Sequence, residues 1–185
     1  MHLAVLTQRR HMLAALAVTP LMPSLPCTAE SLTYVESATG LKFADVKAGS
    51  GPAVVEPNSR VTCHIIGRLV GKQGWVFENS QKVDDEPYRL QMGTGQMISG
   101  LEEGLRGMRE GGMRRLLIPS RLGYLNRELE PIPREFGARQ RLYTTVLNDN
   151  RKRQEAEALG SDLAGVVLID VLLVTVRAAA SSGDI

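Results

Sequence analysis

The stretch "QMISGLEEGLRGM", Gln96 to Met108, decides how the rest of the chain is read. Leu101, Leu105 and Met108 recur at i, i+4 and i+7, the spacing that aligns side chains on one helical face. Ser99 is the predicted N-cap, and Glu102 and Glu103 follow in the first turn, where the helix dipole favours negative charge. Gly111-Gly112 is predicted to end the helix. Consecutive helical residues do not face each other, so the two carboxylates read as a charged helix start, not as a catalytic acid and base.

On either side of this segment the pattern is that of strands and tight turns. A strand is predicted around Leu41 to Val46, followed by a Gly-Ser-Gly-Pro turn and a Pro57-Asn58 turn. Arg60 to Val70 forms the next strand, "WVFENS" another after a glycine-flanked turn, and Tyr88 to Met92 a short one. Beyond the helix, "MRRLLIPS" returns to strand and "GVVLIDVLLVTV" closes as a long apolar one. Short strands joined by tight turns suggest a mostly antiparallel sheet, and one helix among several strands makes the fold class α+β. Between Tyr124 and Ala164 the chain is polar and irregular, which predicts a long surface loop; propensity also allows a short helix over Arg151 to Leu159. The tail "AAASSGDI" is expected to fray.

A length of 185 residues with 43% hydrophobic content suits one globular unit plus extra segments. Residues 1–29 lack Asp and Glu and carry Arg9-Arg10 before the apolar run Met12 to Val18, an export-type leader that resembles a twin-arginine signal. The run is far shorter than the roughly 20 residues a spanning helix needs, so no permanent membrane anchor is expected. Cys27, Thr28 and Ala29 imitate a processing site; cleavage there removes two of the 22 basic residues and leaves 20 against 20 acidic ones. A neutral domain lacks the footprint for nucleic acid. Cys27 leaves with the leader, so Cys63 has no partner and reads as a buried core thiol.

Chemical motifs fall away on inspection. Gly93, Gly95 and Gly100 miss the spacing of a dinucleotide loop, and its βαβ context is missing. No metal site is expected, since Cys63 and His64 are neighbours on a strand and point to opposite faces. There is no G-x-S-x-G elbow, and a catalytic triad would depend on His64 alone. No cofactor is expected.

Taken in order, "GRLVGKQGWVFENS", "YRLQMGTGQMISGLEEGLRGMREGGMRRLLIP", a loop tyrosine at Tyr124 and "LIDVLL" resemble the FKBP family of peptidyl-prolyl cis-trans isomerases, over roughly Leu41 to Val176. The resemblance implies a twisted antiparallel sheet of about five strands wrapped around one short helix, with Gly100 and Gly104 as close-packing positions and the long loop near 125–164 as an insertion. It implies a catalytic set of Tyr124, Phe77 and Glu78, with Tyr124 donating to the substrate carbonyl. It also implies a substrate wall of Ile65, Tyr88, Met97, Ile98, Leu101 and Ile169. Tyr124 has a second reading as an anchor for its own loop, and Phe77 and Ile98 as plain core.

Four positions depart from the family pattern: Ile65 stands for a pocket tyrosine, Glu78 for aspartate, Leu101 for the floor tryptophan and Ile169 for phenylalanine. Weak isomerase activity and poor macrolide affinity are the expectation. The leader, the eroded aromatics and the insertion resemble lumenal FKBPs of plants and algae, which implies the thylakoid lumen. The few residues before Arg9 do not suffice for an envelope-crossing transit peptide, so a start further upstream or a bacterial periplasmic protein are the two ways to accommodate them. The implied partners are proline-containing protein substrates, and the chain is expected to be a monomer. The alternative function is a non-catalytic chaperone or assembly factor for photosynthetic complexes.

Overall fold

The computed structural model describes residues 32–82 and 85–178. The leader with Arg9, Arg10 and Cys27, and the tail from residue 179, lie outside the described residues. Leu32 onward forms its own compact unit.

The long strands follow the hydrophobic alternation. In chain order they are β1 (Val35–Glu36), β2 (Lys42–Lys47), β3 (Arg60–Leu69), β4 (Trp75–Asn79), β5 (Tyr88–Gln91), β6 (Met113–Ile118) and β7 (Val167–Arg177). They form one antiparallel sheet in the order β1-β2-β6-β7-β3-β4, with β5 also on β3. Seven strands therefore replace the expected five or so: β1 is only two residues, and β4 and β5 share one side of β3 by pairing with its two halves. The spine is the β3–β7 pair, in register from Arg60 opposite Arg177 to Leu69 opposite Val167 with one irregularity between Thr62 and Cys63. Val61, Cys63, Ile65 and Leu69 on β3 and Val167, Ile169, Val171 and Leu173 on β7 are buried, so a period of two sends one face of each strand into the core.

Across this core lies α1 (Ser99–Leu105), which buries Leu101 and Leu105, with Met108 buried just beyond. Gly100 and Gly104 let it approach the sheet: an added Cβ would sit 2.4 Å from Ile118 and 2.5 Å from Leu116. Both predicted ends of this helix need correction. Ile98 is the N-cap residue and has no side-chain bond, while Ser99 Oγ instead donates to the Leu122 carbonyl at 3.3 Å. The helix stops at Leu105, where Gly107 takes φ +74°, rather than at Gly111-Gly112. Glu102 accepts from the Gly93 N–H and Glu103 from the Thr39 hydroxyl, so both carboxylates tie turns to the helix.

The predicted loop at 125–164 contains two helices, α2 (Phe136–Val146) and α3 (Asp149–Leu159), so the expectation of one short helix is also corrected. Ala138, Leu142, Tyr143 and Val146 are buried, and the last three join the main core. Their i, i+4, i+5, i+8 spacing makes a helical face, interrupted in the sequence by arginines and paired threonines. α3 begins two residues before the allowed span, capped by the Asn148 side chain, which accepts from the Arg151 N–H at 3.1 Å. It is held by buried Glu155, which pairs with Lys72 at 3.0 Å and accepts from the Gly165 N–H. The Glu130-Pro131 peptide is cis.

Candidate active site

All nine residues of the implied pocket are buried, eight of them in the main core. Ile65, Phe77, Tyr88, Met97, Ile98, Leu101, Tyr124 and Ile169 belong to one buried cluster, and Glu78 is buried beside Phe77 on β4. Ile65 and Ile169 enter from the β3–β7 spine, Tyr88 from β5, Met97 and Ile98 from the turn into α1, and Leu101 from α1 itself. Phe77 and Tyr124 meet edge to face, ring centroids 6.2 Å apart. Gly67 makes room for this contact, because a Cβ there would lie 2.3 Å from the Phe77 ring. Trp75 and Tyr143 extend the aromatic row, Trp75 against Phe77 at 6.5 Å and Tyr143 against Tyr124 at 6.4 Å. Tyr143 sits on α2, so part of this wall belongs to the segment the sequence presented as loop.

A stretch of the chain's own backbone lies against these residues. Ile98 N–H donates to the Glu130 carbonyl at 3.0 Å, and the Tyr124 hydroxyl to the Pro131 carbonyl at 2.6 Å. The Tyr88 hydroxyl reaches the Ile132 carbonyl at 2.8 Å, and Glu78 Oε2 accepts the Arg134 N–H at 2.8 Å. Pro131 and Pro133 are buried between them. Under this cover Tyr124 and Phe77, in edge-to-face contact, are each only 2% exposed. Of the two readings of Tyr124 this bond is the anchor: its hydroxyl holds its own loop through the carbonyl of a proline. The carbonyl-binding pattern was not read from the sequence; the signal available was "EPIP", two prolines at i and i+2 shortly after the loop tyrosine.

Electrostatics keep both phenols as donors. Burial first, and then Tyr88 and Tyr143, hold the Tyr124 phenol well above its ordinary value. Burial and then the adjacent Glu78 carboxylate raise Tyr88 likewise. Cys63 is pushed up to about 12 by burial, which leaves an inert core thiol. Glu78 Oε1 is buried without a hydrogen-bond partner. Among the described residues no cluster of His, Cys, Asp and Glu is placed to hold a metal ion, and no helix is long and apolar enough to cross a membrane. The larger surface grooves lie elsewhere, one of about 690 Å³ along Arg60, Arg89 and Arg177.

An apolar, aromatic-walled cluster set between a short helix and an antiparallel sheet thus holds the chain's own backbone on both sides of Pro131. Residues 51–146 match the family described as FKBP-type peptidyl-prolyl cis-trans isomerase, and the chain belongs to that family. It is 35% identical over 159 residues to the chloroplastic peptidyl-prolyl cis-trans isomerase FKBP17-1 of Arabidopsis thaliana, covering 83% of this chain and 67% of the relative. To chloroplastic FKBP19 of the same plant it is 29% identical, over 62% of this chain and 49% of the relative. Among solved structures, FkpA from Escherichia coli aligns with a TM-score of 0.54 at 25% identity, over 82% of this chain and 55% of that one. AtFKBP13 aligns at 0.53 and 25%, over 78% and 99%. The chain is therefore an isomerase of the FKBP type, and its relatives support a chloroplast location.

Proposed function

We propose that this chain accelerates rotation about X-Pro bonds of protein substrates in the thylakoid lumen, using the pocket around Phe77, Tyr88, Ile98 and Tyr124. The observation that carries it is the convergence of Ile98 N–H and Tyr124 O–H on the consecutive carbonyls of Glu130 and Pro131. A peptide bond resists rotation by about 18–20 kcal/mol because resonance gives it double-bond character. At X-Pro the isomers differ by only about 0.5–1 kcal/mol, so a catalyst matters for rate rather than for the final ratio.

The chemistry asked of the pocket is modest. A twisted amide has lost resonance and charge separation, so an apolar wall of Phe77, Met97, Ile98, Leu101, Ile65 and Ile169 accepts it better than the planar form. The two donors fix the flanking carbonyls while the bond between them turns. Tyr88 holds the next carbonyl, and Glu78 accepts an N–H two residues further along, as each does with Ile132 and Arg134. No nucleophile or proton transfer is needed. Leu101, where the resemblance implies a tryptophan floor, supplies apolar surface without an aromatic plane, which favours weak turnover.

The test is a protease-coupled assay with proline-containing peptides on the full chain. Isomerisation above the uncatalysed rate is expected, reduced by Tyr124→Phe; a rate equal to buffer alone refutes the activity. The expected twin-arginine leader is tested by import into isolated thylakoids, where entry independent of a pH gradient counts against it.

A further inference from the structure

Leu129–Arg134, "LEPIPR", meets the pocket as a bound peptide would. Every backbone polar group from Glu130 to Arg134 has a partner. The three N–H groups go to the Gln96 carbonyl (2.8 Å), to Glu130 Oε2 (2.7 Å) and to Glu78 Oε2 (2.8 Å). The five successive carbonyls accept from Ile98 N–H, Tyr124, Tyr88, Arg139 Nε (3.0 Å) and Arg139 Nη2 (3.2 Å). Pro131 and Pro133 have no N–H to satisfy, which is why a backbone of this composition can be buried in an apolar cleft. Glu130 pairs with Met97 as a one-residue parallel bridge, and Arg134 lies over the Tyr88 ring at 4.8 Å.

The flanks of this segment differ from it. Leu125–Glu128 on one side and Glu135 with the first two residues of α2 on the other are exposed, while α2, which reaches the strap through Arg139, is also held in the core by Leu142, Tyr143 and Val146 and by Arg141 over Trp75 at 4.2 Å. A half-buried strap, anchored by the buried Pro131 and Pro133 between two exposed junctions, has the layout of a piece that leaves its site without unfolding the elements around it.

We infer that Leu129–Arg134 is an intramolecular competitor that occupies the substrate groove through the pocket's own hydrogen bonds, so that a protein substrate enters only by displacing it. The inference rests on the isomerase reading for the identity of the groove. A tethered segment competes at an effective concentration on the order of millimolar, and the apparent affinity of any outside peptide falls by the fraction of molecules with the groove open. The strap also names the substrate class that competes best: an extended, proline-containing segment with an acidic residue before the proline and an aliphatic one after it, as in Glu130-Pro131-Ile132.

The experiment compares the full chain with a triple variant, Pro131→Gly, Ile132→Gly and Pro133→Gly. Two quantities are measured: the affinity for a fluorescein-labelled peptide of the sequence ELEPIPRE and the protease-coupled isomerase rate. The variant is expected to bind the labelled peptide at least ten times more tightly than the parent, and to show a higher kcat/KM toward a proline tetrapeptide. Equal affinity in the two proteins, with the variant folded by circular dichroism, overturns the inference. Should the triple variant not fold, Arg139→Ala removes the donors to the Pro133 and Arg134 carbonyls from outside the pocket. It is expected to tighten peptide binding about threefold, and no change overturns the strap. Tighter binding with no rate above buffer upholds the strap and removes the isomerase reading. Parent and variant turning over at the same rate, with the same affinity, does the reverse.

Discussion

The β3–β7 spine and the α2–α3 insertion bury apolar surface in the same core, yet they announce themselves differently. On the spine, alternation is unbroken for all ten residues of β3 and for the first seven of β7, and each strand supports its neighbour through an antiparallel ladder with one irregularity. In α2 five of eleven positions are buried, one of them the polar Thr145, and Arg139, Arg141 and Thr144 interrupt them. The first pattern specifies its structure locally. The second acquires a buried face only once Phe77 and Tyr124 are in place to receive it, so tertiary context sets it.

The widest way to break this comparison is to remove one large side chain from each region. Leu105→Ala in α1 is expected to cost about 3 kcal/mol, and Leu142→Ala in α2 about the same, because both are fully buried in one cluster. Urea denaturation measures both. If α2 were the surface loop its sequence suggests, Leu142→Ala would cost less than about 0.5 kcal/mol, and the two regions would not share a core.

Gly67→Ala sharpens the comparison where spine and pocket touch. The new methyl would meet the Phe77 ring, which itself packs on Tyr124, so the aromatic row must shift as a unit. A loss of about 2 kcal/mol is expected from overpacking, together with a lower isomerase rate. An unchanged melting curve and rate would show that Phe77 has room to move.

Asp170 tests the outer face of the same spine. It accepts a two-pronged bond from Arg115, at 2.6 and 3.0 Å, and another from Arg68 at 2.6 Å. Burial by itself would raise this carboxyl, but the two guanidiniums outweigh it and hold the group below its ordinary value. A depressed carboxylate contributes stability that is present above its unfolded value near 3.8 and is lost as pH falls through the folded one. Asp170→Asn is expected to cost about 1.5 kcal/mol at neutral pH and to flatten the acid limb of the stability profile. A parallel acid limb in the variant would mean that other groups carry it.

These contrasts explain what the sequence could disclose. The strands, the helix stripe at Leu101 and Leu105, and the clustering of Phe77, Tyr88, Ile98 and Tyr124 were legible because each rests on side-chain identity at fixed spacing. The helix ends were missed because they are made by main-chain geometry: Ser99 turns to Leu122, and Gly107 takes the left-handed conformation first. The filled groove was illegible for a related reason. It is held by five successive carbonyls, groups that every residue carries, and only the two prolines hinted that this backbone tolerates burial.

Tyr124→Phe has the smallest expected effect and separates the two roles of that hydroxyl. Were it reserved for substrate, its removal would slow isomerisation and leave stability untouched. Because it already donates to the Pro131 carbonyl, removal leaves a buried acceptor without its donor and is expected to cost about 1 kcal/mol of stability as well. The pH dependence supplies a second check. A phenol whose folded value is raised stabilises fully below its unfolded value of 10.0 and loses that contribution as pH climbs toward the folded one. The stability gap between parent and variant should therefore stay constant from neutral pH to about 10 and narrow only above it. A gap that stays constant above pH 10 would mean the hydroxyl titrates as it does in the unfolded chain, solvated, and that the strap does not hold the groove in the way these bonds describe.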